Sequence, residues 1–300
     1  MVPGLLRLLS FHQGLRWTRA TASRPYAMAM VASLLVFLPQ AAMAAEPTTP
    51  CSTRYTAAAT FPPPSEPVAP TGAHLLQLLG NKGWGLTEDV SLVAVDGAPA
   101  PLVLEVKIPK GALDHKNPTA PMGGMGFRWH AGMPAGTSAA CLSYSLWLPP
   151  DFQFNKGGKL PGLFGGDGPA GGKDVDGKTG FSARFMWRSG GRGEVYAYIP
   201  GKPDNRGDSI DRGAWVFPRG QWVRMEEEVV LNEPGMADGQ LRVWVDGQLK
   251  LRHDDMVLRT GSDFGIDGVM ADIFYGGKTG DWAAPANTIL RLTPFELAWR

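Results

Sequence analysis

The sequence predicts an all-β chain, an antiparallel β-sandwich of the jelly-roll kind, on three observations. From about Val90 onward apolar and polar residues alternate in short runs. Clusters of Gly, Asp, Asn and Pro separate the runs, and no stretch sustains a helical period, a heptad or an internal repeat. Roughly two hundred residues written in this way suit one large sandwich, and the 44% hydrophobic content of the 300-residue chain is enough to fill its core.

Taken in order, the chain begins differently. Residues 1–44 carry Arg7, Arg16, Arg19 and Arg24 with no acidic residue, then an apolar run from Ala29 to Leu38 that is too short to span a bilayer. The run ends in Ala42-Met43-Ala44, the small-x-small pattern that signal peptidase cleaves. We read residues 1–44 as a secretory signal cut after Ala44, which places the mature chain in a secreted or periplasmic location. Residues 45–84 follow as a linker or arm, because their Pro, Thr, Ser and Ala have little to bury against the entropy of ordering; "HLLQLLG" within them is expected to form a helical turn or two. The sandwich domain is expected over 85–300.

Charge and cysteines narrow the function. Without the leader, 25 Lys and Arg face 28 Asp and Glu, a formal −3 that offers no basic field to nucleic acid. Later apolar runs are interrupted by charge or proline, so no membrane contact is expected once the signal is removed, and the chain is expected to be a monomer. Cys51 and Cys141 permit one disulfide in an oxidising compartment but do not by themselves make a four-ligand zinc site. The five histidines are scattered without i, i+2 or i, i+4 pairs, so neither a metal nor a cofactor is expected.

The strands read off as "LVLEVKIP", "LSYSLWLP", "FSARFMWR", "EVYAYIP", "QWVRMEEEVVLN", "QLRVWVDGQL", "MADIFYGG" and "ILRLTPFELAW". Asp246-Gly247 marks a tight hairpin, since Asp-Gly tolerates the positive φ of a primed turn. Three motifs carry nothing further. "GDGPAG" spells GxGxxG without the strand and helix that a dinucleotide site needs, "DVDGKTG" puts Lys178 where a calcium loop needs oxygen, and Arg206-Gly207-Asp208 is a chance tripeptide in a charged loop. The run Glu226-Glu227-Glu228 spaces Glu226 and Glu228 as a glycosidase pair on one strand face, with Glu227 on the other beside Met225 and Val229. The plain expectation for that pair is a solvated strand face.

One hairpin stands out. Across Gly180–Pro200, alternation puts Phe181, Ala183, Phe185, Trp187, Val195, Ala197 and Ile199 on one side. Ser182, Arg184, Met186, Arg188, Glu194, Tyr196 and Tyr198 take the other. With "SGGRG" as the turn, Arg184 is expected opposite Tyr196 and Ser182 opposite Tyr198. Either this polar side faces water, or its tyrosines and arginines form a sugar-binding surface.

"GGKLPGLFGG" at 157–166, followed by "GFSARFMWR", "GEVYAYIP", "LNEPGMADGQLRVWVDGQ" and "FYGG", resembles polysaccharide lyase family 14 from about residue 100 to the C-terminus. The resemblance implies a β-jelly roll that cleaves a uronic-acid polymer, alginate or glucuronan, by metal-independent β-elimination. It carries the family's lysine onto Lys159, its Ser-x-Arg onto Ser182 and Arg184, and its Tyr-x-Tyr onto Tyr196 and Tyr198. Phe164 stands where the motif frequently has tyrosine. Such a lyase removes the proton at C5, stabilises the carbanion on the carboxylate and protonates the departing O4. Arg184, a fixed cation with forked donors, is expected on the carboxylate. Tyr196 or Tyr198 is expected to exchange protons with the sugar, with Lys159 lowering the tyrosine's pKa or serving as the alternative base. Ser182 is expected to bond the substrate or orient the tyrosine. Arg128, His130 and Arg188 are further candidates for lining the groove. The competing readings are a non-catalytic carbohydrate-binding module of the same fold and a glycoside hydrolase using Glu226 and Glu228.

Overall fold

Alternation of side chains along successive strands builds two facing sheets. The computed structural model describes residues 48–63, 71–201 and 206–300; the expected leader and its cleavage site lie outside these residues. The first half contributes β1 (Ala57–Phe61), α1 (Gly72–Leu78), α2 (Leu86–Asp89), β2 (Val90–Val93), β3 (Val103–Ile108), β4 (Arg128–Trp129) and β5 (Ala139–Trp147). β6 (Gly157–Gly166), β7 (Gly180–Arg188), β8 (Arg192–Tyr198), β9 (Asp208–Val216) and β10 (Trp222–Val230) form the middle of the chain. β11 (Gly239–Val245), β12 (Gln248–Met256), β13 (Gly268–Met270), β14 (Phe274–Tyr275), β15 (Thr288–Leu292) and β16 (Phe295–Trp299) complete it.

Among the described residues, one sheet has nine strands with the main order β12-β11-β10-β5-β15-β3-β2, with β16 joining β5 to β1. The other has seven, in the order β4-β13-β6-β7-β8-β9, with β14 on β6. Every strand pairing among the described residues is antiparallel, so the predicted sandwich is the observed fold. β5 and β7 meet through aromatic edges: the Tyr144 ring stands edge-on to Phe185 at 6.2 Å between centroids and to Phe295 at 5.5 Å. Each such buried ring contributes about 1.5–3 kcal/mol over leaving it in water. The β11–β12 hairpin turns on Asp246 and Gly247, both at positive φ, as the Asp-Gly pair requires. No helix among the described residues is long and apolar enough to cross a membrane.

Three segments differ from the sequence reading. Part of the expected arm is sheet: β1 pairs with β16 from Ala57↔Trp299 to Phe61↔Phe295, and Cys51 is disulfide-bonded to Cys141 on β5. Backbone pairing and a covalent link supply what the poor apolar content of this segment lacks. β6 was hidden by its glycines, which have no side chain to show alternation. β9, in the stretch taken for a charged loop, is an edge strand whose partner β8 pairs Tyr196 with Ser209 and Ala197 with Asp208. Its polar composition and the positive φ of Asp211 and Gly213 suit an edge, where one side needs no neighbour.

Candidate active site

The outer face of β6, β7 and β8 assembles the site in three rows. Antiparallel register sets Phe164, Ser182 and Tyr198 across one row, Gly162, Arg184 and Tyr196 across the next, and Lys159, Met186 and Glu194 across the third. Phe181, Ala183, Phe185 and Trp187 point the other way and are buried in the core. The polar face is not the solvated side of an amphipathic hairpin. Ser182 is 0% and Arg184 2% exposed, and Lys159, Arg188 and Tyr198 are also buried. Loops from outside the hairpin cover them, which no local alternation reveals.

One covering segment is the Gly-rich stretch that spells GxGxxG, 166–171. Ser182 Oγ donates to the Pro169 carbonyl at 2.6 Å, Arg128 Nη2 to the Gly168 carbonyl at 2.7 Å, and the Gly172 N–H to Tyr198 Oη at 3.3 Å. Ser182 therefore ties this loop to the sheet. Arg128 and His130 both flank Phe164, with the guanidinium 5.4 Å above its ring and the imidazole edge-on at 5.3 Å. They stand on the exposed rim, and β13 extends the register from β6 to β4, so that Met270 lies between Gly162 and Arg128 in the Arg184 row.

Buried charge is paired around a central amine. Lys159 Nζ lies 3.2 Å from the Tyr196 ring centroid and 3.0 Å from Met186 Sδ. Burial holds its amine well below the usual lysine range. Arg184 and Arg188 push in the same direction, against the weaker pull of Glu194 and Asp272. Arg184 Nη1 bonds Asp272 Oδ2 at 2.8 Å, while its buried Nε has no hydrogen-bond partner among the described residues. Arg188 Nε bonds Glu194 Oε1 at 2.6 Å and its guanidinium sits 5.4 Å from the Tyr196 ring. Burial acts to raise the Glu194 carboxyl, but bonds from Arg188, Ser209 and Arg212 outweigh it and hold the group below its ordinary value.

Asp272 was not among the residues singled out from the sequence. It lies 88 residues from Arg184 in a segment read only as strand, and nothing local marks it. Gly126 gives it room: a Cβ there would stand 2.5 Å from Asp272 Oδ1 and 2.0 Å from Trp84 Nε1. Glu194 carried a signal, since its parity places it on the polar face, but its double engagement by Arg188 and Arg212 needs β9 in place.

Glu226 and Glu228 are elsewhere, on the outer face of the nine-stranded sheet, and the expected solvated face is corrected: both are buried beneath the N-terminal segment. Glu228 accepts from Arg54 at 2.8 Å, Tyr55 at 2.6 Å and Arg242 at 3.1 Å, and Glu226 from the Ser52 N–H at 3.1 Å and Arg224 at 3.2 Å. Carboxylates engaged in this way under a disulfide-pinned segment are not arranged as an acid and base over a sugar.

A model of the Polysaccharide lyase 14 family matches residues 98–293. The solved PL-14 alginate lyase from the marine Aplysia kurodai is 27% identical, with a TM-score of 0.65 over 77% of this chain and 97% of that one. The alginate lyase vAL-1 from Chlorella virus shares the fold at 23% identity, with a TM-score of 0.61 over 75% and 97% of the two chains. Exolysin of Paramecium bursaria Chlorella virus 1 is 29% identical over an alignment of 189 positions that covers 53% of this chain. The match takes in 29% of that relative, so the chain spans less than a third of its length.

Proposed function

The chain belongs to polysaccharide lyase family 14, and from that membership we propose that it cleaves a uronic-acid polymer by β-elimination at the Lys159–Arg184–Tyr196 rows. The observation that carries the reading is the buried Lys159 amine, held toward its neutral form and packed on Tyr196. A neutral amine has a lone pair to accept a proton, which an ordinary surface lysine at neutral pH does not offer.

The steps follow from the groups present. The sugar carboxylate is matched to the charge of the Arg184 guanidinium, which Asp272 braces. Lys159 takes the C5 proton as the C5–H electrons move toward the carboxylate, where Arg184 offsets the developing charge. The C4–O4 bond then breaks, C4 and C5 become doubly bonded, and a tyrosine hydroxyl, Tyr196 or Tyr198, gives its proton to O4. The lysine returns its proton to the tyrosinate, and both groups are restored. Ser182 acts through the loop it anchors at Pro169. Because burial and the neighbouring arginines disfavour its protonated form, we assign the base to the Lys159 amine and the acid to the tyrosine.

These protein groups supply the charge stabilisation and proton transfers, and on that ground we propose a metal-independent reaction. The leader-like residues 1–44 support secretion, with the enzyme acting as a monomer outside the cytoplasm on anionic polysaccharide. Alginate is the first polymer to test because the 27%-identical Aplysia protein is an alginate lyase; β-1,4-glucuronan is the second. The purified mature chain, with chelator present, is expected to generate the ultraviolet absorbance of an unsaturated uronate on one of them. Lys159→Ala, and whichever of Tyr196→Phe and Tyr198→Phe removes the proton donor, are each expected to lower that rate by about 10²–10⁴. Full-rate product formation by Lys159→Ala would overturn the assignment, and cleavage without an unsaturated product would overturn the lyase reading.

A further inference from the structure

Lys159 reaches the site face because β6 carries one residue more than its neighbour. Lys159 pairs with Met186 and Gly162 with Arg184, three steps along β6 against two along β7. Side chains alternate along a strand, so an unbroken β6 holding Phe164 on the site face would turn Lys159 to the side of Leu163, which is core. The extra residue at Leu160–Pro161 inverts the alternation: Leu160 and Leu163 both enter the core, while Lys159 and Phe164 both leave it. Pro161 suits the position, having no N–H to leave unpaired.

A bulge frees backbone groups from the ladder, and buried backbone groups need partners. Here two are met from across the core by the opposite sheet. The Leu163 N–H donates to Glu227 Oε2 at 2.9 Å, and Tyr144 Oη donates to the Pro161 carbonyl at 3.2 Å. Tyr144 and Glu227 lie on the paired strands β5 and β10, with Met225 opposite Tyr144 and Leu142 opposite Glu227. Glu227 is fully buried, its Oε1 has no hydrogen-bond partner among the described residues, and burial pushes its carboxyl well above the usual range despite the Leu163 N–H. A neutral acid group in a sandwich core is a poor choice for packing alone and a good one for capping a freed N–H.

We propose that Glu227 is a positioning residue: by accepting the Leu163 N–H across the core, it locks the bulge that turns the Lys159 amine onto the reacting face. The inference rests on the reading of Lys159 as the proton-transfer group. It differs from that reading in acting wholly through β6, and its test includes a readout that needs no turnover.

Glu227→Gln keeps a carbonyl acceptor in the same volume, whereas Glu227→Leu removes it. In variants with native circular dichroism, Glu227→Gln is expected to keep wild-type kcat and pH profile. Glu227→Leu is expected to lose up to about a hundredfold in kcat, as a misplaced reacting group does, with KM little changed and the acid limb of the pH profile displaced. The independent readout is the rate at which acetic anhydride labels Lys159 relative to the other lysines, followed by mass spectrometry across pH. Glu227→Leu is expected to change the rate and pH dependence of that site, and Glu227→Gln to preserve both. Wild-type kcat and labelling in folded Glu227→Leu would overturn the proposal, as would a Glu227→Gln variant that falls as far as Glu227→Leu. Should Glu227→Leu fail to fold, Glu227→Met removes the same acceptor with a more adaptable side chain: altered Lys159 labelling supports the proposal and unchanged labelling overturns it. A wild-type chain inactive on every uronate polymer would sink the functional reading, while labelling alone would still decide the role of Glu227.

Discussion

Replacing Glu194 by alanine tests whether the buried charge beneath Tyr196 is as tightly paired as the geometry describes. Glu194 is wholly buried and accepts from Arg188 at 2.6 Å and Arg212 at 2.7 Å, with Ser209 closing the set. Its removal affects the two arginines unequally. The Arg212 side chain is 44% exposed and regains water with little loss, whereas that of Arg188 is 11% exposed and keeps an uncompensated charge in the interior. Breaking one side of such a buried pair costs about 3–5 kcal/mol. In a domain of this size each kcal/mol moves Tm by roughly 2–4 °C, so Glu194→Ala is expected to melt about 6–20 °C below wild type. The pH dependence has a defined sign. The folded carboxyl titrates below its ordinary value of 4.5, so its contribution is complete above that value and disappears as pH falls through the folded pKa. The gap in Tm between wild type and Glu194→Ala should therefore be full at neutral pH and narrow in acid. Circular-dichroism melts between neutral and acid pH measure both. A Glu194→Ala protein melting within about 2 °C of wild type at neutral pH would refute the argument, because that shift corresponds to less than a typical surface substitution's allowance plus experimental spread.

Other outcomes follow from the same structure. Because the Lys159 amine is held below the lysine range, kcat/KM should rise with pH through that depressed pKa and level off below the ordinary lysine value; Lys159→Arg, permanently protonated, should be inactive at every pH, and a residual wild-type profile in it would remove the amine from the mechanism. The same depression means the unfolded chain binds the Lys159 proton more readily, so stability gains with pH up to the ordinary lysine value, and Lys159→Met should flatten that slope in denaturant titrations. The Cys51–Cys141 bridge closes a 90-residue separation far from the Lys159 rows, so Cys51→Ser with Cys141→Ser should cost about 2–5 kcal/mol of stability yet leave kcat unchanged well below the melting range; a fall in kcat there would couple the N-terminal segment to the site.

Much of the fold and part of the site were legible because alternation along a strand is a local property. "FSARFMWR" and "EVYAYIP" separate their core and polar faces residue by residue, and the turn between them sets Arg184 against Tyr196 and Ser182 against Tyr198. The family resemblance then drew attention to Lys159, which alternation did not, because five glycines and a bulge blur β6. Residue type also spoke for itself: Arg184 is a fixed cation whatever surrounds it.

What the chain did not display is everything that depends on which distant surface covers which face. The same alternating pattern serves a solvated strand and a strand roofed by a loop, so the burial of Ser182, Arg184, Glu226 and Glu228 waited on the tertiary structure. The ionisation of Lys159 is of this kind, because desolvation and the fields of Arg184, Arg188, Glu194 and Asp272 belong to the assembled site and to no segment of it. So is the inverted register of β6, where one extra residue turns an amine from the core to the opposite face of the sheet and a carboxyl on the opposite sheet meets the N–H set free. Local side-chain pattern determined the strands and their two faces; long-range packing alone decided which polar groups lost their water, and a lysine becomes a base only where that has happened.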